Sequence, residues 1–273
     1  MALYRALESS ERAPLFRDPF APLFLSPFTE RALRIAQVRA LRPWLERYAD
    51  YRAPGARTSA IARTCFIDDV VRRAVARGVE QFVILGAGYD CRAHRMPELR
   101  GLHVFELDRA DTQNLKRDRL RAQPNVRAIH YVAVDFGVDD FIERLTASSW
   151  KAQSPSLFIW EGVTNYLDEA SVAKVLRAIG QCQARTTVVF TYIHRGVIDG
   201  TVSFDGADKL VRNVKAMREP WRFGIDPSEI GAFLARFGLA LEEDLGADEY
   251  RRRYLGRKAL RGYAFYRIAV AHT

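Results

Sequence analysis

The sequence predicts an α/β fold: a seven-stranded, mostly parallel sheet with helices on both faces and a helical cap added at the N-terminus. Two observations carry this. From Gln81 onward the apolar runs are short, rich in β-branched and aromatic residues, and separated by helical segments, which is the pattern of parallel βαβ units. Before residue 80 the apolar spacing is helical instead. At 273 residues the chain is longer than a typical domain, but one α/β domain with appended helices accommodates it. The expected organisation is a single domain with a cap (1–79), a ligand-binding core (80–195), and a lid segment followed by the C-terminal strands (196–273).

Taken in order, "TERALRIAQVRALRPWLERYAD" (Thr29 to Asp50) carries apolar residues at helical spacing behind a Thr29 cap. A second helix covers 59–77 and stops at Gly78, a natural C-terminal breaker. The strands are "QFVIL" (81–85), "LHVFEL" (102–107), "AIHYVAV" (128–134), "SLFIW" (156–160) and "TTVVFTYI" (186–193), with helices at 110–122, 139–149 and 168–183. A helix at 226–238, a sixth strand at 239–242 and a closing strand "GYAFYRIAVA" (262–271) complete the set.

Composition narrows the function classes. Hydrophobic residues make up 48% and aromatics 11%, enough for a large core and too many for a disordered chain. The start lacks a basic segment leading into an apolar core, and no window approaches about 18 uninterrupted apolar residues, so a cytosolic protein without a membrane partner is expected. Three scattered cysteines, Cys65, Cys91 and Cys182, form neither a disulfide framework nor a zinc site, and no metal ligand set is visible. Net charge is +9, but it reflects a chain-wide preference for arginine rather than a local nucleic-acid footprint, and no nucleic-acid partner is expected. The dense cluster Arg251-Arg252-Arg253, with Arg257, Lys258 and Arg261 after it, reads first as a solvated helix face and second as an anionic-substrate site.

In open sheets of this kind ligands bind beyond the carboxyl ends of the strands, so the chemistry is expected just after each strand. Gly86 and Gly88 follow the first strand, where glycine lets the main chain turn tightly and approach a ligand. A dinucleotide fingerprint would continue to a third Gly or Ala and a helix N-terminus; here that position is Cys91, and Pro97 leaves little room for a helix. The second strand ends with Glu106 and Asp108 on one face, and Asp108 lies 20 residues beyond Gly88, the spacing at which a carboxylate meets ribose hydroxyls. Asp135 and Phe136 end the third strand and suit an adenine, by hydrogen bond and apolar contact; an N-cap and a core ring are the plainer alternative. Glu161 ends an uncharged fourth strand, a costly position unless it has a partner. Together these describe an adenosine pocket without a phosphate cradle, which S-adenosyl-L-methionine fits.

The chain resembles the leucine carboxyl methyltransferase family, in its bacterial branch of small-molecule O-methyltransferases. The resemblance rests on "RDPFA" (17–21), "RTCFIDD" (63–69), "VILGAGYDCRAHRM", "VFELD", "VDF", "EGVTNYL" (161–167), "FTYIHRGVIDG" (190–200) and "PWRFG" (220–224), in the family's order across most of the chain. It implies a Rossmann-like class I methyltransferase fold. It further implies Arg63 at the carboxylate of the cofactor's methionine part, Gly86 beneath that part, Asp108 at the ribose, Asp135 and Phe136 at the adenine, and Glu161 near the methionine amine. The family often has Leu after the third-strand Asp and a Leu pair in the fourth-strand motif, where this chain has Phe136 and Val163-Thr164-Asn165.

The expected reaction is methyl transfer to an oxygen of a small molecule, a carboxylate or a hydroxyl of an acidic or aromatic metabolite such as a polyketide. A carboxylate arrives ionised, whereas a phenol or alcohol needs a base. His194, just past the fifth strand, is the candidate base, with the Tyr166 and Tyr192 hydroxyls as partners. For a carboxyl acceptor the same region would supply orienting donors, with Arg253 or Arg195 holding the anion. Trp221, Phe223, Tyr250 and Tyr254 are read as pocket or lid lining or as core. A nicotinamide-dependent oxidoreductase on the same topology and a non-catalytic S-adenosylmethionine sensor are the rival readings, and Cys91 argues against the first.

Overall fold

The computed structural model describes residues 1–37, 41–216, 220–256 and 262–273. Its seven strands are β1 (Gln81–Leu85), β2 (His103–Asp108), β3 (His130–Ala133), β4 (Ser156–Trp160), β5 (Thr186–Ile193), β6 (Ala240–Gly246) and β7 (Tyr266–His272). They form one sheet in the order β3-β2-β1-β4-β5-β7-β6, with β7 antiparallel to both neighbours and the other pairings parallel. The central strands are buried on both faces, which explains why "QFVIL" and "SLFIW" read as continuous apolar runs. Strand alternation sorts their side chains into two cores. Val83, Leu85, Phe105, Phe158 and Trp160 enter one cluster. Phe82, Ile84, Val104, Leu157 and Ile159 enter the other.

The helices are α1 (Ala2–Ser9), α2 (Pro27–Gln37), α3 (Arg42–Arg52), α4 (Ala56–Ala76), α5 (Arg92–Arg95), α6 (Ala110–Leu120), α7 (Phe141–Ala147), α8 (Glu169–Gly180), α9 (Arg195–Asp199), α10 (Ala207–Ala216), α11 (Ile230–Ala235) and α12 (Ala247–Leu255). The residues of α7, α8 and α11 fill the first cluster, and those of α4 and α12 fill the second. No helix among the described residues is long and apolar enough to cross a membrane.

Several boundaries differ from expectation, each for a local reason. The helix expected over 29–50 is two helices. Pro43 sits in the first turn of α3, where its missing N–H and fixed φ favour a helix start, and residues 38–40 lie outside the described set. The first of the two begins at Pro27, and Ser26 Oγ, not Thr29, accepts the Thr29 N–H at 3.3 Å. The helix expected over 226–238 shrinks to α11, because Asp226 Oδ1 takes the Ser228 N–H and hydroxyl in a turn and Gly238 has φ +77°. Residues 257, 258 and 261 of the expected basic cluster fall outside the described residues.

Ahead of the sheet, "RDPFA" folds back on the first helix. Asp18 is fully buried and accepts Arg5 Nε at 3.0 Å, Phe20 N at 3.1 Å and Ala21 N at 3.0 Å. Arg5 then reaches the Tyr89 carbonyl at 2.6 Å, and Phe24 stacks on the Tyr89 ring at 4.6 Å, so the N-terminal segment lies over the turn after β1.

Candidate active site at the β1–β4 crevice

Strand order reverses between β1 and β4, the switch point at which open sheets leave a crevice for ligands. A cavity of about 210 Å³ opens there, lined by Ile84, Gly86, Ala87, Gly88, Tyr89 and Asp90 after β1, by Glu161 and Gly162 after β4, by Arg63 of α4, and by Met1, Ala2 and Arg5. Four residues singled out from sequence, Arg63, Gly86, Gly88 and Glu161, therefore meet at one place. A fifth joins them: Asp108 Oδ2 accepts the Gly88 N–H at 2.5 Å, and Oδ1 accepts the Arg109 N–H at 2.7 Å. Each oxygen keeps a further lone pair for a hydroxyl.

The partner that Glu161 required is present twice. Its Oε1 accepts Arg63 Nε at 2.7 Å and its Oε2 accepts Arg92 Nη1 at 2.9 Å. Burial alone would raise this carboxyl, but Arg63 and then Arg92 outweigh it and hold it well below the ordinary carboxylate range. Arg92 also pairs with Asp90 and, through Nε, with Asp68 at 2.8 Å, while Arg95 meets the same Asp68 oxygen at 2.7 Å. The result is a chain of alternating charges from α4 through α5 to β4, nearly all of it sealed from solvent. The Arg63 guanidinium lies over the Tyr266 ring at 4.5 Å; the Tyr266 hydroxyl is 3.1 Å from Thr191 Oγ1, which accepts the Gly162 N–H at 2.8 Å.

Sequence reasoning missed Arg5, Asp68, Asp90, Arg92, Thr191 and Tyr266. Asp68, Asp90 and Arg92 lie inside the recognised motifs, and the signal for them was present: with Arg63, Asp69 and Arg95 they are charged residues in otherwise largely core-filling stretches.

The remaining expected residues are not among those that line this cavity. Asp135 is exposed at the end of β3, with Oδ1 accepting the Gly137 N–H at 2.9 Å, and half-buried Phe136 faces Phe141 and Trp160 at 6.2 and 6.5 Å. Tyr166 is 39% exposed on the turn after β4. His194 caps α9, its Nδ1 accepting the Gly196 N–H at 3.0 Å, and burial lowers its pKa. Trp221 packs on Phe265 at 5.8 Å, and its indole N–H has no acceptor among the described residues.

Three expected acceptor contacts are replaced by internal ones. The Tyr192 hydroxyl is buried and donates to Asp244 at 2.9 Å. Arg253 pairs with Glu243 at 2.7 Å, and the Tyr254 hydroxyl donates to Asp69 at 2.6 Å; both sit where α12 packs on α4. Of the other residues named from sequence, Arg195 pairs with Glu229 at 3.3 Å, Phe223 is core, and Tyr250 is core with its hydroxyl 2.6 Å from Ser59 Oγ.

The residues around the crevice fit S-adenosylmethionine. Gly86 (φ +65°) and Gly88 (φ +45°) give a main-chain floor, and a Cβ at Gly86 would overlap Cγ2 of Val163. An ionised carboxylate suits an ammonium group, and Asp108 suits vicinal hydroxyls. A pyrophosphate finds no seat: Cys91 is fully buried beside Phe20 and Leu120, and the helix that follows has only 4 residues.

Comparison with known proteins identifies the family. The family model described as leucine carboxyl methyltransferase matches residues 1–180. A relative from Frankia alni, named as a candidate S-adenosyl-L-methionine-dependent methyltransferase, is 34% identical over 205 residues, which cover 73% of this chain and 68% of the relative. One from Streptomyces coelicolor with the same description is 36% identical over 210 residues, 73% and 69% of the two chains. Among solved structures, a candidate methyltransferase from Thermobifida fusca superposes with a TM-score of 0.59 at 16% identity, covering 100% of this chain and 93% of its own, a likeness of fold.

Proposed function

The chain belongs to the leucine carboxyl methyltransferase family and is an S-adenosylmethionine-dependent methyltransferase, and from that premise we propose that it methylates the carboxylate oxygen of a small aromatic or otherwise apolar acid. When bound, S-adenosylmethionine supplies a methyl carbon made electrophilic by its sulfonium. In this reading Arg63 and Glu161 hold the two charged groups of the methionine part, the Gly86–Gly88 main chain lies beneath it, Asp108 takes the ribose, and Asp135 with Phe136 borders the adenine. Ala2 and Arg5 of helix α1 line one side of the cavity.

One observation favours a carboxylate over a hydroxyl acceptor. Because His194 Nδ1 accepts the Gly196 N–H, the neutral ring carries its proton on Nε2 and presents a donor. A phenol or alcohol acceptor needs a base with a free lone pair, whereas a carboxylate needs only to be oriented. His194 is thus assigned as an orienting donor and not as a base. Trp221, packed among Phe204, Phe265 and Tyr263 with no acceptor for its N–H among the described residues, supports an apolar wall for the acceptor.

The test is transfer from methyl-labelled cofactor to a panel of aromatic acids and their phenol analogues. Base-labile methyl esters are expected; base-stable ethers would reverse the assignment, and cofactor binding without any transfer would favour a sensor. His194→Asn should lower kcat by no more than about tenfold, compared with about 10²–10⁴ for loss of a general base. Asp108→Ala should weaken S-adenosylmethionine binding by about 10- to 100-fold in calorimetry, the value of hydrogen bonds to a charged acceptor. Unchanged affinity there would remove Asp108 from the ribose site.

A further inference from the structure

Helix α6 meets the sheet through an unusual set of side chains. Its buried residues are Gln113, Lys116 and Leu120, which lie on one face by spacing, where a sheet-covering helix normally presents an apolar stripe. Burying an amide and an ammonium is costly unless each is hydrogen-bonded, so their partners matter. Gln113 Nε2 donates to the carbonyls of Glu106 and Val132, each at 2.9 Å, tying β2 to β3. Lys116 Nζ donates to Glu106 Oε2 at 2.7 Å and also to the Asp90 carbonyl. Lys116 is 1% exposed and Glu106 0%.

Both acceptors of Lys116 belong to the cofactor side of the sheet. Asp90 closes the turn that begins at Gly86, its N–H donating to the Ala87 carbonyl at 2.8 Å, and it lines the crevice. Glu106 lies two residues before Asp108 on β2, facing the same way. One ammonium therefore spans the turn that carries Gly88 and the strand that carries Asp108, the two groups already joined by the Gly88 N–H.

We propose that Lys116 is a positioning residue for S-adenosylmethionine, clamping the Asp90 carbonyl to the Glu106 carboxylate so that the Gly86–Asp90 turn and Asp108 keep their spacing. The inference rests on the cofactor placement given above. A role in stability alone does not account for the arrangement, since an apolar pair of similar volume serves a core at least as well as a buried ion pair. What an apolar pair cannot supply is a donor for the Asp90 carbonyl.

Calorimetric titration with S-adenosylmethionine, paired with thermal midpoints, separates the two roles. Lys116→Met leaves Glu106 unpaired and should lower both the midpoint and the affinity, the latter by at least about tenfold. Glu106→Gln with Lys116→Met removes the lone charge; the midpoint should recover while the affinity stays at least about tenfold weak. Glu106→Gln with Lys116→Arg keeps a cationic N–H donor long enough to reach the carbonyl and should regain affinity over the methionine form. These double variants carry the test if Lys116→Met alone does not fold. Leu120→Ala, on the same face and 1% exposed, should lose stability but keep its affinity. Wild-type affinity in the methionine double variant, or an equal loss of affinity in Leu120→Ala, overturns the proposal. A concurrent loss in Asp108→Ala would confine that failure to Lys116, whereas no loss in either would displace the cofactor site itself.

Discussion

Glu161→Gln is expected to destabilise the protein by about 3–5 kcal/mol, the cost of leaving a buried cation without its counter-charge. Arg63 is 3% exposed, and among the described residues its ion pair is with Glu161 alone. Arg92 has Asp68 and Asp90 in reserve, so the loss falls chiefly on Arg63. Urea titration measures it, and a change below about 1 kcal/mol would mean that water or a neighbouring acid already compensates the guanidinium. The same carboxylate sets a pH signature. Held below the ordinary carboxylate range in the folded state and near 4.3 when unfolded, it contributes stability that is complete above about pH 4.3 and is lost as pH falls through and below that value. The wild type should therefore lose more stability than Glu161→Gln over that acid range, and equal slopes would contradict the assignment.

Gly86→Ala should cost about 2–4 kcal/mol, combining a left-handed backbone with an overpacked contact. At φ +65° an L side chain is strained, and the new methyl meets Cγ2 of Val163, a β-branched neighbour with little freedom to turn aside. Relief requires the turn to move away from the end of β4, which widens the crevice floor. Cofactor affinity should fall along with stability. Gly101→Ala supplies the control for positive φ alone: at φ +87° nothing lies within 4 Å of the added Cβ, so only the backbone term remains. Similar losses in the two variants would show that the Val163 contact contributes nothing.

Much of the fold was legible because its strands are short and buried on both faces, so apolar runs mark them directly; β1, β4 and β5 match their expected bounds residue for residue. Bounds were less legible where pairing decides them. The closing strand begins at Tyr266, not 262, and β6 extends to Gly246 through Glu243 and Asp244, since an antiparallel partner fixes their register and one face of this edge strand tolerates acids. The division of α2 from α3 was readable in principle from Pro43.

The amino-acid order by itself determined which groups stand at the strand ends: glycines after β1, an acid after β2, an acid and a ring after β3, a carboxylate after β4. Those positions follow from local periodicity, which needs no knowledge of distant contacts. Only tertiary structure decided which of these groups act together, because Arg63, Arg92 and Glu161 lie far apart along the chain and meet through the packing of α4 and α5 on the sheet. It also decided the state of each side chain. The Glu161 charge, the His194 tautomer and the buried Lys116 all follow from through-space partners and solvent exclusion, quantities that no linear pattern encodes.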